Sequence, residues 1–279
     1  MNRLYLKHFA AAIAALSAAA TLLTVLFDLD CVKDCWVYGA IGSVLVIGGS
    51  LLYAWWLTRS KKKIELSLSS ELKLSIREGD LFKQKGIICI PVNEYFDTHV
   101  GDGVVGKDTL HGKFISTYYG DRIQELVDKI NDQLANKPHI VHNRRIPTCP
   151  NRQYQLGTCI DIRDGENLYV LFALTHFDDN DIANMSRLEY AEVVRKLMDH
   201  LSLIAEGRPV YMPLFGTGLA RLKRTPERIL YHLVDTLDFD DTGSIPGGLN
   251  IIIKSLDKLN VNLTVFEHIL KSGIIDTEA

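Results

Sequence analysis

Residues 86–112 read GIICIPVNEYFDTHVGDGVVGKDTLHG, an apolar run followed by a glycine-containing loop. Gly86–Val92 predicts a buried strand, because the run is short, continuous and rich in β-branched residues. The glycines of the loop are Gly101, Gly103 and Gly106. Glycines let a backbone turn with positive φ and direct N–H groups at an anion, and a helix beginning near Lys107 would add the positive end of its dipole. The stretch therefore predicts a strand followed by a phosphate-binding loop.

Two other interpretations of this loop stay open. It is close to the Walker A motif of NTPases, but Asp108 stands where a Ser or Thr should hold magnesium. Seven residues, 94–100, also separate the predicted strand from the loop. The second alternative is a glycine-rich surface turn that binds no ligand, since three nearby glycines alone do not specify a site.

Two further segments end predicted strands in the same manner. Gly79 and Asp80 close the alternating stretch LKLSIREGD, and FGTGL at 215–219 closes the apolar run PVYMPL. Open α/β sheets bind ligands outside the carboxyl ends of their strands. We therefore expect these segments and the glycine loop to meet at one edge of a sheet.

The rest of the chain alternates strands with helices, which predicts a mixed sheet covered on both faces. No internal repeat interrupts this pattern. The predicted strands lie within 64–76, 155–163, 168–175, 209–215 and 249–256, and the predicted helices at 118–134, 186–204 and 225–237. Residues 136–154 are predicted as a long loop, and 261–271 as a strand or short helix.

The order of these motifs resembles the macro domain, an ADP-ribose-binding α/β module, over roughly Leu72–Leu270. The resemblance implies a three-layer α/β/α domain with a mixed sheet, at 72–279. It implies that Asp80 accepts a hydrogen bond from adenine and that two backbone cradles hold the diphosphate. The ligand-binding residues expected on this basis are Asp80, Leu81, Asn93, Gly101, Asp102, Gly103, Val104, Val105, Gly106, Lys107, Phe215, Gly216, Thr217, Gly218, Leu219 and Arg221.

Hydrolytic macro domains commonly carry NAAN after the second strand, and here Phe96 stands where the second Asn should be. Because Phe cannot orient water, we expect binding without turnover, and no catalytic residue, metal ligand or cofactor is predicted. A hydrolase that uses Asp102 or His111 as general base is the alternative. Candidates for contact with the distal part of the ligand are Tyr95, Phe96, Asp97, Phe177 and Asp178.

The first sixty residues contain two uncharged runs, Phe9–Phe27 and Trp36–Leu57, of 19 and 22 residues. At ~1.5 Å per residue, each helix is long enough to cross the ~30 Å hydrocarbon core. Basic residues precede the first run and follow the second, at 59–63, whereas the connecting loop carries three Asp. This charge pattern predicts a transmembrane hairpin over residues 1–60 with both termini in the cytoplasm, followed by a basic linker and first strand at 61–71.

The two spans together with GDGVVGKDTLHGKF resemble the two-span, macro-domain effectors of Thoeris anti-phage defence. The resemblance implies a multi-pass protein of the bacterial inner membrane. It also implies that a TIR-domain partner supplies an ADP-ribose-type signal, histidine-ADP-ribose, and that binding makes the protein form homo-oligomers and disrupt the membrane. The formal net charge is −3, and no nucleic-acid partner is predicted.

Overall fold

The computed structural model describes residues 3–27, 36–68, 72–101, 104–142, 149–177, 183–218, 222, 224–239 and 244–272. The chain divides into two compact units. One contains the residues up to Lys61 together with those from Asn262 onward, and the other runs from Lys62 to Val261. The unit that holds the sheet thus begins ten residues before the expected boundary at 72, and it ends before the last helix that the structure describes.

The unit of residues 62–261 is built on an eight-stranded mixed sheet. Its strands and helices in chain order are β1 Lys63–Ser67, β2 Lys73–Glu78, β3 Ile87–Asn93, α3 Leu110–Tyr118, α4 Ile123–Leu134, β4 His139–Val141, β5 Arg152–Tyr154, β6 Cys159–Asp164, β7 Asn167–Phe177, β8 Ala183–Asn184, α5 Arg187–Ile204, β9 Val210–Pro213, α6 Pro226–Phe239, β10 Leu249–Ile253 and α7 Leu256–Leu259. The sheet order is β1-β2-β10-β9-β3-β7-β6, and β8 pairs with β7. The small β4–β5 hairpin lies within the segment predicted as a loop.

The sheet is covered on both faces, which explains the sequence of its central strand. β3 is buried along Ile87–Ile90, because both faces of a parallel strand pack against helices. On one face, Ile88, Ile90 and Val92 join a core with Phe114 of α3 and with α4. Helices α5 and α6 each have a buried apolar side, which includes Leu197 in α5 and Leu233 in α6. This three-layer α/β/α arrangement confirms the predicted fold class.

Local signals place several elements where the sequence predicted them. Ser186 forms a capping box with Glu189 at the start of α5, and Thr225 accepts a hydrogen bond from the N–H of Arg228 at the start of α6. The hairpin of β6 and β7 turns at Asp164–Asn167, as predicted.

The other unit contains helices α1, Arg3–Phe27, and α2, Trp36–Thr58, which pack against each other, and α8, Leu263–Ser272. Within α2, Ile41–Thr58 is long and apolar enough to cross a membrane. In α1, where only some side chains are described, the apolar stretch found is Leu6–Ala19, shorter than a full span. The structure thus supports one candidate span, and the two-span topology stays a prediction.

Helix α8 is attached to the end of α2. The Asn262 side chain donates to the carbonyl of Thr58 at 3.0 Å, and the Thr264 hydroxyl donates to the carbonyl of Arg59 at 2.7 Å. The Lys61 ammonium lies 2.7 Å from Glu267. These bonds satisfy carbonyl groups that the last turn of α2 leaves without intrahelical partners. The segment predicted as a strand or short helix is therefore a helix with a defined attachment.

Candidate functional site

Five strands of the sheet, β2, β10, β9, β3 and β7, run parallel, so their carboxyl ends lie at one edge, called here the carboxyl edge. The register places four residues side by side across the first four of these strands: Leu74, Leu249, Val210 and Ile87. Asp80 follows β2, the glycine loop at 98–109 follows β3, and Phe215–Gly218 follow β9. The three segments predicted from the sequence therefore leave the sheet at the same edge.

Asp80 caps a short 3-10 turn, Leu81–Lys83. Its Oδ1 accepts a hydrogen bond from the N–H of Phe82 at 3.1 Å, and Gly79 donates to the carbonyl of Ile253. The other carboxylate oxygen has no hydrogen-bond donor among the residues that the structure describes. The cap thus uses one of the two carboxylate oxygens of Asp80. The Leu81 side chain is buried in the core, which leaves only its backbone for ligand contact.

The glycine loop uses part of its own backbone internally. The N–H of Gly101 donates to the carbonyl of Val105 at 3.0 Å, and the N–H of Val104 donates to the carbonyl of Gly101 at 2.9 Å. The side chains of Val104 and Val105 are buried in the core. The N–H groups of Gly101 and Val104 are therefore already used inside the loop. An anion would have to be met by neighbouring N–H groups of the same loop. Asp102 and Gly103 lie outside the described residues.

Helix α3 begins at Leu110 and not near Lys107, because Thr109 is its N-cap. The Thr109 hydroxyl accepts from the N–H of Gly112 at 3.0 Å and donates to the carbonyl of Gly106 at 2.7 Å. Lys107 and Asp108 are exposed and precede the cap. A Walker lysine lies at the start of its helix, so this geometry counts against the NTPase interpretation.

The loop after β9 packs against the core. Phe215 is buried between the rings of Phe172 and Tyr190, with centroid distances of 5.2 and 5.1 Å. Gly216 has a φ of +86°, and a Cβ there would lie 2.7 Å from Leu222 Cδ1 and 3.0 Å from Tyr190 Cε2. Gly216 is thus required for packing and for its backbone conformation, and a side chain there would enter the core.

Gly218 differs from Gly216, because a Cβ there would meet no atom of the described residues within 4 Å. Thr217 is tied back by its hydroxyl, which donates to the carbonyl of Leu214 at 3.2 Å. Gly218 therefore faces open space, as a backbone cradle for a ligand requires. Leu219 and Arg221, which were predicted to extend this cradle, lie outside the described residues.

A turn with internal hydrogen bonds, Asn93–Asp97, connects β3 to the glycine loop. The Asn93 side-chain oxygen accepts from the N–H groups of Tyr95 and Asp97, and its amide donates to the Asp97 carboxylate at 3.0 Å. Phe96 is buried and holds a φ of +53°, which is uncommon for a bulky residue. Since Phe96 and Asp97 are 1% and 0% exposed, these two candidates for distal ligand contact are instead structural.

Glu94, His176 and Glu189 form a chain of hydrogen-bonded side chains beside this turn. Glu94 is fully buried, and its carboxylate accepts from the N–H of Phe177 at 2.8 Å. His176 Nδ1 lies 2.5 Å from Glu94 Oε2, and His176 Nε2 lies 3.2 Å from Glu189 Oε1. The hydrogen bond to Glu94 raises the pKa of His176, with the charges of both carboxylates adding to it. Sequence reasoning missed His176, because its partners are distant in the chain.

His111, the candidate general base, is 7% exposed. Burial lowers the pKa of its imidazole to about 3. A base of this strength binds a proton weakly at neutral pH, so the geometry favours a packed, neutral side chain over a catalytic one. Asp102 lies outside the described residues, and groups of three or more potential metal ligands are absent from the part of the chain that the structure describes.

Comparison with known proteins identifies relatives of this fold. The family model of the Thoeris protein ThsA, Macro domain, matches residues 74–254. Thoeris protein ThsA of Bacillus amyloliquefaciens (strain Y2) is 30% identical over 161 residues, which are 57% of this chain and 52% of that protein. The match thus spans about half the length of this curated relative.

Solved macrodomain structures also resemble the chain. The Oceanobacillus iheyensis macrodomain with ADP is 11% identical with a TM-score of 0.49, over 75% of this chain and 97% of that chain. The Trypanosoma brucei macrodomain in complex with ADP-ribose is 11% identical with a TM-score of 0.41, over 70% of this chain and 68% of that chain.

Proposed function

Because the chain belongs to the Thoeris ThsA macro-domain family, we propose that its carboxyl edge binds an ADP-ribose-type ligand. The observation that carries the proposal is the convergence of Asp80, the glycine loop and Phe215–Gly218 at one edge of the sheet. Asp80 supplies a carboxylate oxygen that matches an adenine amino group. The two loops supply backbone amides from two sides, which suits a diphosphate.

At the level of the whole chain, we propose an effector of anti-phage defence. A TIR-domain partner would make the signal from NAD, and binding of the signal, histidine-ADP-ribose, would drive self-association and disruption of the inner membrane. The apolar stretch Ile41–Thr58 supports attachment to a bilayer. A ligand can shift such an equilibrium only through different affinities for the resting and assembled states.

We also propose that the site binds its ligand without hydrolysing it. Two observations support this: His111 is a weak base, and Phe96 is buried at the position where hydrolytic macro domains carry Asn. A hydrolase would instead consume an ADP-ribose conjugate in molar excess over the protein.

Calorimetry of the full-length protein in nanodiscs tests binding, with ADP-ribose and histidine-ADP-ribose as titrants and ribose 5-phosphate as control. We expect heat of binding for at least one ADP-ribose compound and none for the control. Absence of binding for both compounds would overturn the proposal. Chromatography of each mixture after incubation then separates binding from turnover, because intact ligand is expected and released product would indicate the hydrolase.

Release of a dye from liposomes that carry the full-length protein tests the membrane step. We expect leakage after addition of the compound that binds, and no leakage with ribose 5-phosphate. Binding without leakage would retain the ligand site and remove membrane disruption from the proposal.

A further inference from the structure

We propose that His176 is a positioning residue of the carboxyl edge. As an imidazolium between Glu94 and Glu189, it fixes the position of the glycine loop relative to the Phe215–Gly218 loop. The inference rests on the proposed function of that edge, and it adds a residue that controls the shape of the site. His176 is the penultimate residue of β7, Glu94 follows β3, and Glu189 lies in the first turn of α5.

With both carboxylates ionised, the geometry favours a protonated ring. Both ring nitrogens of His176 face a carboxylate oxygen, Nδ1 toward Glu94 and Nε2 toward Glu189. Ionised carboxylates only accept hydrogen bonds, and a neutral imidazole has one N–H and one lone pair. A neutral ring would therefore direct its lone pair at one carboxylate. Only the imidazolium donates to both, and its charge-assisted bonds are the stronger kind.

Glu94 connects His176 to the segment that leads into the glycine loop. Its carboxylate is fully buried and has the N–H of Phe177 and the His176 ring as donors, so loss of the ring's charge would leave a poorly compensated buried anion. Its backbone donates to the carbonyl of Thr175 and accepts from the N–H of Tyr154. Glu94 thus fixes the start of the turn that leads into the glycine loop.

Glu189 connects His176 to the start of α5, which contacts the Phe215–Gly218 loop. Its Oε2 accepts from the N–H of Ser186 at 2.7 Å, which closes the capping box of α5. The next residue, Tyr190, donates its hydroxyl to the carbonyl of Phe215 and lies against Gly216. One imidazolium therefore connects the glycine loop, through Glu94, with the Phe215–Gly218 loop, through Glu189.

The charge state of the bridge follows from the groups that face it. Among the described residues, the charged groups acting on His176 are Glu94, from the end of β3, and Glu189, from α5. Asp178, Asp179 and Asp181, which follow β7, lie outside the described residues. The two carboxylates raise the pKa of His176. A raised pKa means that the bridge is complete below the ordinary histidine value and is lost as pH rises through the folded value.

The test measures ADP-ribose affinity of the full-length protein in nanodiscs between pH 6 and 10, by calorimetry, for wild type and His176→Gln. We expect wild-type affinity to fall as pH rises through the titration of His176. His176→Gln should bind about tenfold more weakly at pH 6 and lose this pH dependence, because glutamine keeps one neutral hydrogen bond without the charge. Unchanged affinity and an unchanged pH profile in His176→Gln would overturn the inference.

Two further variants separate positioning from general stability. His200→Gln removes a similar pair, His200 Nε2 to Asp161 Oδ1 at 2.8 Å, about three turns further along α5 from Glu189. We expect it to keep the wild-type pH profile. Glu189→Gln retains the capping-box acceptor and loses one charge, so we expect a lower titration point for His176. A pH profile altered equally by His200→Gln would contradict a specific role for His176.

Nuclear magnetic resonance of histidine labelled at Cε1 keeps this inference distinct from the proposed function. If wild type binds no ADP-ribose at any pH, the proposed function fails, while the titration of the His176 signal still tests the bridge. The bridge predicts that His176 stays charged above the ordinary pKa of histidine, and that this signal is lost in His176→Gln. A His176 ring that titrates at or below the ordinary histidine pKa would overturn it.

Discussion

Gly112, in the first turn of α3, lies directly against Gly106 of the glycine loop: a Cβ on Gly112 would stand 2.3 Å from the carbonyl oxygen of Gly106. The same carbonyl accepts hydrogen bonds from the hydroxyl and the N–H of Thr109. The loop is therefore held on the helix start by contacts that admit no side chain at position 112.

Gly112→Ala should displace the glycine loop, because the clash is with backbone and no flexible side chain can move away. We expect a loss of about 1–3 kcal/mol in the free energy of unfolding and weaker ADP-ribose binding. Chemical denaturation and calorimetry measure the two effects. Gly79→Ala is the matched control for stability, since its Cβ would lie 3.7 Å from Ile252 Cγ2, an ordinary contact. Equal stability of the two variants would contradict the packing described here.

Gly216→Val and Gly218→Val should separate packing from ligand contact. Gly216→Val inserts a branched side chain between Leu222 and Tyr190 in a left-handed conformation, so we expect loss of more than about 2 kcal/mol of stability. Gly218→Val faces open space and should leave the melting temperature near that of wild type while reducing ADP-ribose affinity. Wild-type affinity in a stable Gly218→Val protein would place the ligand elsewhere.

Asp80→Asn should preserve the turn at Leu81–Lys83, since asparagine caps as well as aspartate, while removing the carboxylate. We expect weaker binding of ADP-ribose and little change for the inosine analogue, which lacks the adenine amino group. A comparison of the four affinities isolates this contact. An equal loss for both ligands would show that Asp80 does not recognise the amino group.

His111 should make the protein less stable in acid. Burial lowers the pKa of His111 to about 3, so between that value and the ordinary histidine value the unfolded state binds more protons than the folded state. Stability should then fall with decreasing pH by at most about 1.4 kcal/mol per pH unit. Denaturation of wild type and His111→Gln from pH 7 to pH 4 measures this, and a parallel decline in both would assign the effect to other groups.

Asn262→Ala combined with Thr264→Ala should loosen helix α8 at the end of α2. Their side chains bond to the carbonyls of Thr58 and Arg59, so their loss leaves the Lys61–Glu267 ion pair without these two hydrogen bonds. We expect faster proteolysis of α8 in the full-length protein. Lys271→Ala, which removes an exposed ion pair with Glu267, is the control and should change the rate little. Equal rates in the double variant and wild type would contradict the attachment.

The elements that could be predicted from the sequence are those with local signals. β3 is recognisable because burial on both faces demands a continuous apolar run, and α5 and α6 carry capping residues at their first turns. The predicted start of α3 near Lys107 is too early, because the prediction places the helix directly after Gly106 and does not use Thr109 as the N-cap. The β4–β5 hairpin was missed because its first strand is exposed throughout, without alternation.

The candidate site was predictable in its position but not in its detail. The rule for carboxyl ends of parallel strands places the three segments together without knowledge of any side chain. Why a position requires glycine, by contrast, depends on the residues around it. Gly216 is needed for packing against Leu222 and Tyr190, and Gly218 is not. The pairing of Glu94 with His176 arises from strand register, which no local pattern reveals.

Hydrogen–deuterium exchange of the full-length protein, with and without ADP-ribose, tests most directly whether the three segments at the carboxyl edge form one ligand site. We predict that the ligand slows exchange together in residues 79–84, 98–109 and 214–218, and leaves the β4–β5 hairpin unchanged. Protection confined to one of these segments, or protection elsewhere in the chain without them, would contradict a ligand held between them.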